Sequence, residues 1–189
     1  MKTQKKMSTQ SLVLAAVLTA LVIILQFMGA FVKFGPFSIS LVLVPIVIGA
    51  STCGYKIGAW LGFVFGAVVL LNGDAAAFLA VNPFGTVITV LAKGTLCGLL
   101  SGITYKALQK HSKILAVVVA AIVCPLVNTG VFLIGCLLFF MPTITQWAGG
   151  QSTAEYIIFV LVGGNFLFEL ATNIILSPVI VRLLNIRNK

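Results

Sequence analysis

Charge is what this sequence has least of. Asp and Glu together number 3, His numbers 1, and charged residues make up 8% of the chain. Soluble domains carry about 25%, so a water-facing surface cannot be the main surface here. The scarcity of acids also narrows the chemistry. Asp74, Glu155 and Glu169 are the only carboxylic side chains, and only Glu169 falls deep inside an apolar run, Glu155 lying at the edge of one. The single histidine, His111, sits in a basic stretch with no partner beside it. No HExxH, GxSxG or phosphate-cradling P-loop motif occurs, and those spacings are what a zinc hydrolase, a serine hydrolase or a nucleotidase of that type would need. The 4 cysteines, Cys53, Cys97, Cys124 and Cys136, have no CxxC spacing. They read as small packing residues rather than as disulfides or metal ligands. The sequence thus points away from an enzyme and from a bound cofactor or metal, toward binding or transport.

What is present is apolar. Hydrophobic residues make up 60% of the 189 positions, and the mean hydropathy is +1.19. The expected fold class is an all-α integral membrane protein, a six-transmembrane-helix bundle forming a single transmembrane domain over 1–189. The apolar runs place the helices at about 11–32, 38–53, 55–72, 84–105, 113–141 and 154–184. A spanning helix needs about 20 residues, within about 17–25. The second run is short and carries Pro45; the third is bounded by Gly54 and by Asn72-Gly73-Asp74. Merging the two would give five spans.

Charge placement favours six. With the N-terminus inside, Lys2, Lys5, Lys6, Lys56, Lys106, Lys110, Lys113, Arg182, Arg187 and Lys189 all fall on the cytoplasmic side, and Lys33 alone falls in an outer loop. This is the positive-inside pattern, and it puts both termini in the cytoplasm. The net charge of +9 then reflects topology and contact with the inner leaflet of the lipid bilayer; it calls for no nucleic acid. The start, MKTQKKMSTQ, resembles the basic region of a signal peptide. The run after it exceeds the usual signal core of about 7–15 residues, so it reads as a retained first helix.

Small residues are placed where helices could meet. The third run contains Gly58, Gly62 and Gly66, a GxxxGxxxG ridge, and the fourth contains Gly94, Gly98 and Gly102. Residues four apart share a helix face, and small ones let backbones approach in lipid. The first run carries Ala16 and Ala20 as an AxxxA ridge.

Against this background Lys93 stands out. A lysine at the bilayer centre costs about 2.5–3.5 kcal/mol on insertion scales. Thr86, Thr89 and Lys93 share one face of the fourth helix; Asn128 lies in the fifth; Asn165, Glu169 and Asn173 share a face of the sixth. Counting from the outer ends at about 1.5 Å per residue, Lys93, Asn128 and Asn165 lie at similar depth, with Glu169 one turn deeper. Two readings stand side by side. Lys93 and Glu169 form a structural ion pair, or they line a solute pocket in which the asparagines orient the solute. The long segment 72–85, with Asn82-Pro83 as a turn above the fourth helix, and the segment 141–150 with Trp147 are candidate lids. The candidate substrate-binding set is Asn82, Thr89, Lys93, Asn128, Asn165 and Glu169.

Taken in order along the chain, these features resemble the substrate-binding S components of energy-coupling factor (ECF) vitamin transporters, in the group that includes riboflavin and pantothenate binders. The resemblance is carried by the length, the six helices, Ala16-Val17-Leu18-Thr19-Ala20, Val81-Asn82-Pro83-Phe84-Gly85-Thr86 through Lys93-Gly94, and Cys124-Pro125-Leu126-Val127-Asn128-Thr129-Gly130. It implies a multi-pass protein of a prokaryotic-type cell (plasma) membrane that captures a vitamin from outside with high affinity. It implies docking through Ala16 and Ala20 onto a transmembrane coupling subunit driven by two ATPase subunits, so that ATP is used by the partners and no cofactor is bound by this chain. One lysine suits a carboxylate such as that of pantothenate, while asparagines and aromatics suit the flavin of riboflavin. A stand-alone facilitator and a non-transporting structural subunit are the alternatives.

Overall fold

Backbone N–H and C=O groups in an apolar medium must find their partners within the chain, and the apolar runs fold into helices. The computed structural model describes residues 8–29, 33–34, 37–38 and 41–187. Helix α1 spans Thr9–Gly29. Two two-residue strands follow, β1 at Lys33–Phe34 and β2 at Phe37–Ser38, paired antiparallel. Helix α2 spans Leu43–Thr52, α3 Tyr55–Leu71, α4 Ala76–Val81 and α5 Pro83–Leu108. Helix α6 spans Lys113–Gly135 and continues through a π-helical segment, Cys136–Phe140, into α7 at Met141–Trp147. Helix α8, Thr153–Glu155, continues through a second π-helical segment, Tyr156–Gly163, into α9 at Gly164–Arg187.

Among the described residues, four helical rods are long and apolar enough to cross a membrane: Thr9–Gly29, Pro83–Leu108, Lys113–Trp147 and Thr153–Asn185. Helices α2 and α3 are apolar but shorter. The chain is therefore a helical, membrane-embedded protein. Several boundaries differ from those expected. The second helix begins at Leu43, not 38, and Pro45 lies in its first turn, where a missing N–H costs little. The fifth rod runs past 141 to Trp147, so the expected lid at 141–150 is mostly helix, closed by a turn in which Gly149 and Gly150 have positive φ. Pro142 cannot donate to the carbonyl one turn back, and the ladder widens into the π-helical segment beside it. The segment 72–85 contains α4. Lys2, Lys5, Lys6 and Lys189 lie outside the described residues, as do the expected helix positions 30–32 and 39–40.

The tightest packing joins α3 to α5. A Cβ placed on Gly62 would collide with the Gly94 backbone, one on Gly58 with the Gly98 carbonyl, and one on Gly66 with the Val90 carbonyl. The two ridges therefore run antiparallel, glycine against glycine, with backbones in direct contact. Helix α2 fills the centre, contacting α1, α3, α5, α6 and α9. Its Leu43, Ile46 and Val47 are fully buried and belong to one core with Leu61, Ala120 and Ile180. A helix surrounded on all sides has no polar face to keep, which is why its sequence is apolar from Leu43 to Ala50. A smaller cluster of Phe78, Cys136, Phe140, Ile144 and Leu161 lies apart from it, near the Pro83 end of α5.

Candidate functional site

The half of α5 toward Pro83 turns from packing to chemistry. Asn82 caps the helix: its Oδ1 accepts from the Gly85 N–H at 2.9 Å, and Pro83 takes the first position, where no donor is needed. This start fixes the register that places Thr86, Thr89 and Lys93 on one face. The face opens onto a cavity of about 580 Å³, open space at its mouth included. Thr86, Thr89 and Lys93 share its wall with Asn165 and Glu169 of α9. Its apolar lining comes from Phe65, Phe78, Phe132 and Phe140. A few polar groups converging on an aromatic-walled cavity is the usual composition of a small-molecule site.

Lys93 is half-buried, and its Nζ stands 5.6 Å from the ring centroid of Phe65 and 5.5 Å from that of Phe132. Both distances suit cation–π attraction. Among the described residues it has no hydrogen-bond acceptor and no carboxylate within 4.0 Å, so the expected contact with Glu169 is not closed even though both line the cavity. Glu169 is 1% exposed and its oxygens are taken by amides. Asn128 Nδ2 donates to Oε2 and Asn165 Nδ2 to Oε1, each at 3.4 Å. Asn173 Nδ2 donates to the Glu169 backbone carbonyl at 2.8 Å. Asn128 of α6 and Asn165 of α9 thus meet at the same carboxylate, and both line a chamber with Lys93. Three buried polar atoms of residues that line the cavity or its side chamber have no partner: Thr89 Oγ1 and the Oδ1 atoms of Asn128 and Asn165. Such groups are rare in folded proteins and mark places where a ligand or water belongs.

Thr89, Lys93, Asn165 and Glu169 come together on the main cavity, and Asn128 lies on an adjoining chamber with Lys93 and Asn165. Asn82 is not on the cavity wall; its side chain serves the helix cap. Two polar residues that the sequence reading did not place in the site also line it, Gln26 and Asp74. Gln26 of α1 is 2% exposed and donates through Nε2 to Asp74 Oδ2 at 2.7 Å, and Asn72 Nδ2 donates to the same oxygen at 2.8 Å. A lone glutamine interrupting the apolar run of α1 was the available signal. Phe78 holds α4 over the site, edge-on to Phe132, Phe140 and Trp147 at 5.0–5.7 Å between centroids. Among the described residues no group of three His, Cys, Asp or Glu side chains could hold a metal ion.

Helical rods of membrane length around a polar cavity describe a solute-binding membrane protein, and a family comparison says which kind. The model for the substrate-specific component of ECF transporters matches residues 10–184. The chain belongs to that family. It is therefore the substrate-binding subunit of an ECF-type transporter, a transport component rather than an enzyme, and it works with a coupling subunit and ATPase subunits. No curated protein matches the chain.

Proposed function

We propose that this S component captures a small vitamin in the cavity walled by α3, α5, α6 and α9, with pantothenate slightly preferred for its carboxylate and riboflavin next. The observation that carries this reading is Lys93. Its ammonium faces the cavity between two aromatic rings with no acid within ion-pair distance, while the nearest candidate counter-ion, Glu169, is occupied by Asn128 and Asn165. A cation held in an apolar site is costly unless something meets it. A solute carboxylate would do so. Thr89, Asn128, Asn165 and Glu169 then supply hydrogen bonds, and Asn82 shapes the turn that starts the lysine-bearing helix.

Riboflavin remains the second reading because Phe65, Phe78, Phe132 and Phe140 offer ring faces and edges to a planar solute. The solute enters from the outer side in a six-crossing topology with both ends cytoplasmic, the short α2 counted as the second crossing. On this topology a cysteine label at position 111 reacts only from the cytoplasmic side. Helix α1 presents Ala16 and Ala20 on an exposed face, beside Leu12, Val13 and Val17. That face suits docking to the coupling subunit, since small side chains allow helices to approach closely.

Mass spectrometry of small molecules that co-purify with the protein tests the substrate. The expected result is a carboxylate-bearing vitamin retained by the wild type and lost from Lys93→Met. A wild type that carries no vitamin and gains no thermal stability from pantothenate or riboflavin would favour the structural-subunit alternative.

A further inference from the structure

The cavity has a side chamber. It measures about 320 Å³ with the open space at its mouth included, is lined by Asn128, Thr129, Leu161 and Phe166, and shares Lys93, Phe132 and Asn165 with the main cavity. Asn128 is 4% exposed. Its Nδ2 points at Glu169, and so does that of Asn165. A carboxylate oxygen accepts and does not donate, so each amide turns its N–H side to Glu169 and its oxygen away. Both Oδ1 atoms are buried with no partner. Glu169 therefore acts at one remove: by holding two amide nitrogens, it aims two acceptors.

From this arrangement we infer that the side chamber is a subsite for the hydrogen-bond-donating part of the solute, with Asn128 Oδ1 and Asn165 Oδ1 as its acceptors. The inference rests on the solute-pocket reading and deepens it. The substrate class becomes a small molecule with an anionic or electron-rich group for Lys93 and N–H or O–H groups within a few ångströms of it. A carboxylate without such donors leaves the acceptors unpaired and is rejected, because a site built to hydrogen-bond a group discriminates strongly against its absence. Pantothenate offers an amide N–H and hydroxyls; riboflavin offers an imide N–H and hydroxyls.

The test uses the full-length protein and four solutes: pantothenate, its amide-N-methyl derivative, riboflavin and its imide-N-methyl derivative. Affinities are measured for the wild type, Lys93→Met, Asn128→Leu and Asn165→Ser. The expected result is that one parent vitamin binds the wild type at least tenfold more tightly than its N-methyl derivative. Asn128→Leu brings that ratio close to one, whereas Lys93→Met weakens both members and keeps the ratio. If Asn128→Leu does not fold, the ratio in Asn165→Ser decides. Equal binding of parent and methylated solute to the wild type overturns the inference, as does a ratio unchanged in the asparagine variants, and either leaves the pocket reading standing. Failure of all four to bind the wild type overturns the pocket reading and the inference with it.

Discussion

The two halves of α5 are built on opposite rules. Toward Leu108, its glycines lie backbone-to-backbone against those of α3, with no room for a single Cβ. Toward Pro83, it lines a cavity with Thr86, Thr89 and Lys93, and buried polar atoms there lack partners. One half has every contact it can make; the other keeps contacts in reserve. Rigidity in the first half is what lets the second hold a lysine in the membrane. An amine on a poorly fixed helix would swing toward the interface, but a helix locked along the Gly62–Gly94 seam holds its Pro83 half in register. The neighbouring rods show the same division. Helices α6 and α9 pack on α2 through Ala120 and Ile180, while π-helical segments at Cys136–Phe140 and Tyr156–Gly163 lie at the cavity end, where such segments often accompany function.

The contrast is broken most severely at the seam. Gly62→Leu drives a side chain into the Gly94 backbone, and overpacking costs about 1–3 kcal/mol or more. The expected outcome is loss of monodisperse protein in detergent, read by size-exclusion chromatography. Gly130→Ala, where no atom lies within 4 Å of the new Cβ, leaves the protein intact. Equal tolerance of both changes would mean that the seam is not what holds α5.

The proposed docking face on α1 offers a sharper separation. Ala16→Trp combined with Ala20→Trp abolishes uptake and co-purification of the coupling subunit, yet leaves vitamin affinity within about twofold of wild type, as expected for surface changes worth under about 0.5 kcal/mol. Retained co-purification would place the docking surface elsewhere. The smallest effect is expected at Asn82. Its side chain caps α5, so Asn82→Ala costs about 1 kcal/mol of stability and lowers the thermal midpoint slightly. A large loss of affinity with no thermal change would instead put Asn82 in contact with solute.

Much of this architecture can be read from residue order. The GxxxGxxxG spacings mark two faces that do meet, and the face of Thr86, Thr89 and Lys93 does open on a cavity. The reason is periodicity: residues three and four apart share a face whatever the neighbours are. Register between helices carries no such signal. An apolar run does not say where its helix ends, and the rod that carries Asn128 runs on to Trp147. Gln26 and Asp74 lie 48 positions apart, and only the packing of α1 against α3 brings them to one wall. The tie between Glu169 and two asparagines is equally invisible in sequence, where a lysine and a glutamate suggest each other. The structure pairs Glu169 with amides instead, a solution that satisfies a buried carboxylate without spending the lysine on it.

Lys93 is where the account is most exposed. The decisive measurement is isothermal titration of pantothenate into wild type and Lys93→Met, each first shown to be monodisperse with a similar thermal midpoint. The account predicts affinity at least tenfold weaker in the variant, a loss of about 1.4 kcal/mol or more. Equal affinity in a folded variant would contradict it, and would leave Lys93 as a structural residue held by Phe65 and Phe132.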